Sequence, residues 1–154
     1  MKSLLSQNWI FKRVMNLYPP YLFTGISIKK LSKDFRQLTV TMPLRWYNQN
    51  YVGTHFGGNL FSMTDPWFML MLIQVLGRDF KVWDQSANIE FIKPGKGRVS
   101  CDFVIDDALL QNIYQATEKG DKYLPELIVY IKDEAGEVIA KITKIIYIRR
   151  KQGR

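Results

Sequence analysis

Cysteine and histidine are almost absent from this chain of 154 residues, which has one of each, Cys101 and His55. A single cysteine excludes an internal disulfide and favours a reducing compartment over secretion. One cysteine and one histidine also cannot form the usual zinc clusters, so we expect neither a metal nor a cofactor. Any histidine-based catalytic triad would have to use His55.

Long hydrophobic runs are also missing. The most apolar run, residues 67–73, is far shorter than the roughly 20 residues that a membrane-spanning helix needs. The N-terminal residues lack the uninterrupted apolar run of a signal peptide. We therefore expect a cytoplasmic protein. With 47% hydrophobic and 23% charged residues, the composition predicts one globular domain over residues 1–154.

Acidic residues are outnumbered by basic ones, 14 against 22, which gives a formal net charge of +8. The excess lies toward the two ends of the chain, and its tightest cluster is a basic tail at residues 149–154. Such an excess fits simple solubility, attraction of an anionic ligand such as a nucleotide-tailed thioester, or nucleic acid. Nucleic acid is the least favoured partner, because no single element interleaves basic and aromatic residues.

Hydrophobic periodicity predicts an α+β domain. Helical spacing marks residues 1–20 and 57–76, and a third helix follows Asp106, which can cap it. Alternation of apolar and polar residues predicts six strands, at 26–31, 38–42, 86–93, 99–105, 126–131 and 138–148. Short connections between most of these strands favour one antiparallel sheet with helices on one side.

Residues 68–73 are apolar on every face, and a helix of this kind must be buried on every side. In so small a domain, a sheet must wrap around the helix, with or without the help of a second protomer. This predicts the hotdog fold, an antiparallel sheet of about six strands around a central apolar helix. It also predicts self-association into a homodimer or a homotetramer.

Two adjacent glycines, Gly57 and Gly58, provide the first candidate site. Glycine at a helix start lets a ligand approach the backbone, where the first N–H groups lack partners within the helix. Those N–H groups and the helix dipole favour a developing negative oxygen, as an oxyanion hole requires. Tight packing of the helix explains the two glycines about as well.

Asp65 provides the second candidate site. It is the only acidic residue between Asp34 and Asp79, and it adjoins the most apolar run. A carboxylate in such surroundings is usually paired or functional. Asp65 followed by Pro66 also fits a helix N-cap with proline at the first helical position. If the helix begins near Gly58 instead, the proline should kink it.

The segment from Lys93 to Arg98 carries three cations and two glycines. Lys93, Lys96 and Arg98 can attract the phosphates of a carrier. The alternative is a solvated hairpin tip with Pro94–Gly95 in a type II turn.

For the remaining polar candidates, a structural explanation is favoured over a functional one. Asparagines in the irregular stretch at residues 43–51, which ends at Asn50, commonly make turn hydrogen bonds. A lone histidine such as His55 is usually structural. Cys101, at an inward-facing strand position, is interpreted as a small core residue.

The segment Gly53-Thr-x-x-Gly57-Gly58-x-Leu-Phe-Ser-x-x-Asp65 resembles the signature of hotdog-fold acyl-CoA thioesterases of the phenylacetyl-CoA type. Residues 50–98, with Val82-Trp83-Asp84 and Phe91-x-Lys-Pro-Gly-Lys-Gly97, are more similar to a branch described only as a domain of unknown function with thioesterase members. The resemblance spans essentially the whole chain. Two positions depart from the phenylacetyl-CoA type: Phe56 replaces the histidine before the two glycines, and Pro66 follows the acid.

The resemblance implies a thioesterase acting on an acyl-CoA or acyl-carrier-protein thioester. Gly57 and Gly58 would polarise the thioester carbonyl through backbone N–H groups, and Asp65 would be the nucleophile or general base. In this family the site lies between two chains, so Asp65 would face the ligand of the partner. The expected substrate contacts are Asn50, His55, Phe56, Lys93, Lys96 and Arg98.

Two other functions compete with this interpretation: an acyl- or lipid-binding domain and, less favoured, a basic nucleic-acid-binding domain. If Asp65 only caps a helix, the chain becomes a non-catalytic acyl- or lipid-binding hotdog domain. A hotdog dehydratase is disfavoured, because that chemistry needs a well-placed histidine and the chain offers only His55.

Overall fold

A computed structural model describes residues 7–152, which form five helices and seven strands. The helices are α1 (Asn8–Asn16), α2 (Pro19–Leu22), α3 (Gly57–Ser62), α4 (Trp67–Leu76) and α5 (Asp107–Ala116). The strands are β1 (Ser27–Leu31), β2 (Gln37–Pro43), β3 (Phe80–Phe91), β4 (Arg98–Val104), β5 (Lys122–Tyr123), β6 (Glu126–Asp133) and β7 (Val138–Arg150).

Both chain ends differ in detail from the sequence prediction. The helical segment predicted over residues 1–20 comprises α1 and the single turn α2, and its first six residues lie outside the described part. The basic tail predicted at 149–154 begins inside β7, and residues 153–154 also lie outside the described part.

The strands form one antiparallel sheet in the order β1-β2-β4-β6-β7-β3, with the short β5 also paired to β7. Helix α4 packs on one face of this sheet, where Phe68 meets Phe103 edge to face with ring centroids 5.0 Å apart. Cys101 is buried in the same core, as predicted. The predicted α+β class and hotdog arrangement are confirmed, with a seventh, two-residue strand added.

The helix predicted over residues 57–76 is interrupted. Helix α3 ends at Ser62, and α4 begins at Trp67. Pro66 accounts for the break, because it has no N–H to donate and its ring crowds the preceding turn. The predicted burial on every face is also incomplete in the single chain: Trp67, Phe68 and Leu72 are buried, whereas Ile73 is 40% exposed.

The hairpin predicted around residues 93–98 is wrong. Strand β3 lies at the edge of the sheet and pairs with β7, whereas β4 pairs with β2 and β6. Residues 92–97 therefore cross one end of the sheet between strands that are not neighbours. Strand β7 pairs with β3 along almost the whole length of β3, whereas β4, with seven residues, is too short to do so. Gly97, with φ 72°, is the left-handed residue here, so the type II turn at Pro94–Gly95 is also wrong.

Two local predictions are confirmed. The Asp106 side chain caps α5 by accepting a hydrogen bond from the backbone N–H of Leu109 at 2.7 Å. The final hairpin turns at Gly136, which has φ 82°. Within residues 7–152, no helix is both long enough and apolar enough to cross a membrane.

Candidate active site

Helix α3 begins at Gly57 after an extended Phe56 that makes no side-chain cap. The backbone N–H groups of Gly57 and Gly58 have no acceptor among residues 7–152, as expected for the first turn of a helix. Neither glycine has a positive φ. A Cβ would lie 2.9 Å from the Phe91 ring at Gly57 and 2.5 Å from the Phe56 ring at Gly58. Close approach of these aromatic rings, rather than backbone conformation, therefore favours glycine.

A cleft of about 540 Å³ opens beside the start of α3. It brings together five of the residues predicted from the sequence: Asn50, His55, Gly57, Lys93 and Lys96. Its apolar walls include Leu60, Phe91, Ile92 and Pro94. Phe56, Gly58, Asp65 and Arg98 are not part of the lining. A smaller depression of about 360 Å³ over β1, β2 and β4 contains none of the predicted site residues.

His55 forms one wall of the cleft and is 2% exposed. Its Nε2 lies 2.9 Å from the carbonyl oxygen of Gly97, which assigns the proton to Nε2. Its Nδ1 is then an acceptor, and it has no partner among the described residues. Burial lowers the pKa of His55, and the hydrogen bond to Gly97 opposes this effect. The ring is therefore neutral at neutral pH and ties the segment before α3 to the 92–97 connection.

Asn50 shapes the loop that leads into the cleft. Its side-chain oxygen accepts hydrogen bonds from the backbone N–H groups of Val52 and Thr54, at 3.1 and 3.0 Å. Its amide nitrogen donates to Thr54 Oγ1 at 2.9 Å and to the His55 carbonyl at 3.3 Å. The polar atoms of Asn50 are thus engaged within the loop, which agrees with the turn-forming interpretation of this residue.

Asp65 lies between α3 and α4, and the interpretation of it as a helix cap is wrong. Helix α4 begins at Trp67 without any side-chain cap. The Asp65 Oδ1 atom instead accepts a hydrogen bond from Lys144 Nζ at 2.9 Å. The backbone carbonyl of Asp65 accepts a hydrogen bond from the Tyr21 hydroxyl. The side chain of Asp65 is 54% exposed. Its carboxylate is therefore bonded to the protein interior and is also accessible to solvent.

The junction that carries Asp65 is fixed on its inner side. Trp67 Nε1 donates to the Met63 carbonyl at 2.8 Å, and Thr64 Oγ1 donates to the Phe61 carbonyl at 2.8 Å. The ring of Tyr21 packs on Trp67 with centroids 5.2 Å apart. Because Met63, Thr64 and Trp67 are buried, the position of the Asp65 backbone is determined by the core.

Lys144 is the charged partner of Asp65, and its side chain is 1% exposed. Its Nζ also lies 3.1 Å from Asp84 Oδ1. That contact is a close ion pair outside good hydrogen-bond geometry. Burial raises the pKa of Asp84, the ammonium of Lys144 opposes the rise, and the Asp65 carboxylate adds to it. Burial and the charge of Asp65 raise the pKa of Tyr21 well above its usual range.

Sequence reasoning missed Lys144, Asp84 and Tyr21. The signal for Lys144 was the alternation along β7, because the buried Ile142 and Ile146 place residue 144 on the inward face. A lysine at such a position is the kind of buried charge that requires a partner. The alternation along β3 does not predict which way Asp84 faces, because an irregularity between residues 84 and 86 shifts the register of this strand.

The three cations at residues 93–98 are not equivalent. Lys93 forms an ion pair with Glu137. Lys96 and Arg98 are exposed and have no ion-pair partner within residues 7–152. Lys96 lines the cleft, and Arg98 begins β4 just beyond it. The free positive charge at the mouth of the cleft therefore comes from Lys96 and Arg98.

Comparison with known proteins gives a family and a fold. The sequence profile of a family described as "Domain of unknown function (DUF4442)" matches residues 7–148. A Pseudomonas aeruginosa protein of unknown function, described as a probable thioesterase, superposes with a TM-score of 0.79 at 20% identity over 93% of this chain and 95% of that chain. A Chlorobaculum tepidum protein of unknown function gives 0.71 at 22% identity, over 93% and 94%. A Haemophilus influenzae thioesterase gives 0.63 at 14% identity, over 91% and 88%.

At these identities the structural likeness establishes the fold. No curated protein sequence matches the chain.

Proposed function

The chain belongs to the DUF4442 family, described as a domain of unknown function, and on that premise we propose that it is a thioesterase that hydrolyses an acyl-CoA or acyl-carrier-protein thioester. The names of two similar structures, a probable thioesterase and a thioesterase, support this reaction class. The observation that carries the proposal is the exposed carboxylate of Asp65, held by a buried lysine at the break between α3 and the apolar α4.

The proposed chemistry uses Asp65 as general base and the N–H groups of Gly57 and Gly58 as the oxyanion hole. The carboxylate takes a proton from water while the water oxygen bonds to the thioester carbonyl carbon. The carbonyl oxygen becomes negative and is stabilised by the two free N–H groups. When the C–S bond breaks, the proton on Asp65 passes to the departing sulfur, which leaves a carboxylic acid and a thiol.

The alternative role of Asp65 is direct attack on the carbonyl carbon, which forms a mixed anhydride. Water then cleaves the anhydride. A single turnover in ¹⁸O-labelled water tests for the anhydride. If water attacks the Asp65 carbonyl of the anhydride, the label enters the Asp65 carboxylate, where mass spectrometry of the peptide detects it. If water attacks the acyl carbonyl, or if Asp65 is a general base, the label enters only the product acid, so label in Asp65 identifies the nucleophilic route.

We further propose that the active unit is a homodimer, because Asp65 does not line the cleft of its own chain. The cleft of one protomer would be completed by Asp65 of the partner subunit. Strand β3 supports this arrangement, since it is an edge strand of 12 residues, one side of which is unpaired among residues 7–152, and such edges favour pairing with another chain. The exposed Phe91, Ile92 and Ile73 add an apolar surface. A dimer of dimers is the larger assembly that the same proposal allows.

The carrier is proposed from the charge at the cleft mouth. Lys96 and Arg98 would attract the phosphates of CoA or of a phosphopantetheine arm, and the apolar residues Leu60, Phe91 and Ile92 would contact the acyl chain. The walls of the cleft combine a few polar groups with a larger apolar part, which suits a ligand of this kind.

The first test is hydrolysis of a panel of acyl-CoA thioesters by the wild type and by Asp65→Asn. We expect the variant to lose at least about 100-fold in kcat while it stays folded. Asp102→Asn is a matched control, because Asp102 accepts a hydrogen bond from Thr39 on the far side of the sheet. If the wild type binds acyl-CoA without hydrolysing any member, the chain is the acyl-binding domain instead.

The second test is complementation between two inactive variants, Asp65→Asn and Gly57→Val. In a two-fold symmetric dimer, a mixed dimer has one site with both changes and one site with neither. Co-refolding equal amounts should therefore restore about a quarter of wild-type activity if the site is shared between chains. No recovery, with mixed dimers present by mass spectrometry, would place the whole site within one chain.

A further inference from the structure

Lys144 occupies a position where packing alone does not call for a charge. On β7 its inward-facing neighbours are Ile142 and Ile146, both fully buried. Replacing a buried ion pair with apolar side chains of similar volume is often neutral or stabilising. A buried ammonium left without a partner is strongly destabilising, and here two carboxylates accompany it. The arrangement therefore calls for an explanation other than stability.

The geometry at Asp65 separates its two oxygens. Lys144 approaches from the interior and donates to Oδ1 at 2.9 Å. The side chain of Asp65 is 54% exposed, and its carboxylate lies close enough to that of Asp84 for the two groups to interact. A hydrogen bond from a buried donor restricts the rotation of the carboxylate. One oxygen is thus anchored from the interior, while the half-exposed carboxylate remains accessible to water.

Asp84 gives the ammonium a second counter-ion. When Asp65 accepts a proton, its charge disappears, and an ammonium paired with Asp65 alone would be left buried and uncompensated. With Asp84 3.1 Å away, the positive charge remains paired in both protonation states of Asp65. Because the ammonium of Lys144 also pairs with Asp84, it neutralises the charge of Asp65 only in part.

We propose that Lys144 is a positioning residue that anchors Oδ1 of Asp65 so that Oδ2 takes the proton of the attacking water, and that Asp84 is the counter-ion that keeps the ammonium paired throughout. This inference rests on the proposed thioesterase function. The charged and titratable groups that face the cluster are Lys144 from β7, Asp84 from β3, and Tyr21 and Tyr18 from α2 and the residue before it.

The kinetic test compares Lys144→Met with Lys141→Met. Methionine retains the length of the side chain and removes the charge. Loss of the anchor should lower kcat by roughly 100-fold, the effect of a misplaced catalytic group, with KM changed less than about three-fold. Lys141 lies on the outer face of the same strand and pairs with Glu90 at 3.2 Å, so its variant should keep wild-type kcat. A Lys144→Met enzyme with wild-type kcat would overturn the proposal.

The second readout does not depend on activity. Carbon-13 NMR of labelled aspartate carboxyls follows the titration of Asp84. The pKa of Asp84 should fall in Asp65→Asn, because the neighbouring carboxylate that raises it is gone. It should rise in Lys144→Met, because the ammonium that lowers it is gone. An Asp84 titration that is identical in the wild type and in Asp65→Asn would show that the groups do not form one cluster in solution, and would overturn the proposal even if Lys144→Met fails to fold.

The two proposals fail in different ways. Absence of thioester hydrolysis by the wild type contradicts the thioesterase proposal, whatever the NMR titration shows. Hydrolysis by the wild type, lost in Asp65→Asn and unchanged in Lys144→Met, contradicts only the role of Lys144.

Discussion

The ring of His55 donates its Nε2–H to the carbonyl oxygen of Gly97 at 2.9 Å and thereby joins two segments that lie 42 residues apart. The backbone N–H of His55 reinforces this contact by donating to the Gly95 carbonyl at 3.0 Å. The two bonds close one side of the cleft beside α3. Because His55 is the only histidine of the chain, its protonation can be followed without overlap from other imidazoles.

We predict that His55 makes the fold less stable as the pH falls from about 7 to 5. Burial lowers the pKa of His55 in the folded state, so the unfolded chain, with an ordinary value of about 6.5, takes up the proton first. Below that pH the unfolded state binds more protons, and the free energy of unfolding decreases. Urea denaturation at several pH values should show a stability advantage over His55→Gln that shrinks on acidification. A constant difference would contradict the prediction.

For Asp84 the pH dependence has the opposite sign. Its pKa is raised in the folded state, so its contribution to stability is fully present below the unfolded value of about 4 and is lost as the pH rises through the folded value. The Asp84→Asn variant should therefore gain stability relative to the wild type between pH 4 and pH 7. The exposed Asp121→Asn controls for the loss of one carboxylate elsewhere on the surface, and all variants are compared at equal protein concentration. A parallel pH profile for Asp84→Asn would refute the assignment.

The free cations at the cleft mouth should affect binding rather than turnover. We expect the double change of Lys96 and Arg98 to Gln to raise KM for acyl-CoA several-fold and to flatten its salt dependence. The value of kcat should hardly change, because these side chains are remote from the bond that breaks. Lys93→Gln should have a smaller effect, since Lys93 is paired with Glu137. Thioesters without a phosphate provide the control, and an equal rise of their KM would exclude phosphate recognition.

The cap of α5 offers a stability prediction independent of function. Asp106→Ala removes the acceptor for the Leu109 N–H and should lower the free energy of unfolding by about 1 kcal/mol. Asp106→Asn should cost much less, because asparagine caps nearly as well. Neither change should alter kcat. Equal stability of the alanine variant and the wild type, measured by denaturant unfolding, would show that the cap contributes nothing.

Local patterns in the sequence predicted most of the architecture. The alternation at residues 38–42 and 99–105 corresponds to β2 and β4, and the apolar run at 67–73 lies in α4. Asp106 was identified as a cap from its residue type and position alone. These predictions are correct because each feature depends on contacts close in sequence or on the periodicity that one buried face imposes.

Long-range pairing could not be predicted in the same way. The glycine-rich segment at 94–97 looked like a hairpin turn, yet β3 pairs with β7, about 60 residues later along the chain. Period-two alternation specifies which face of a strand is buried but not which strand is its neighbour. The sequence also left undecided whether the helix is interrupted between α3 and α4, because Pro66 fitted both the start of a helix and an interruption within one.

The candidate site was predicted in part. The motif led to Gly57, Gly58 and Asp65, but the surroundings of Asp65 depend on β3 and β7. Lys144 follows Asp65 by 79 residues, and no local pattern connects them. The role of Lys144 can be recognised only from the order of the strands, which places its side chain beside the junction of α3 and α4.

The place of β7 in the sheet has a consequence for how the protein is made. Strand β7 pairs with β3, β5 and β6, and it is synthesised after all three of them. Until it has emerged, β3 lacks its neighbour in the sheet and the apolar α4 lacks part of its cover. Before β7 is synthesised, a nascent chain of this kind exposes apolar surface and an unpaired strand edge. Its yield in the cell should therefore depend on chaperone capacity more than the stability of the finished fold would indicate.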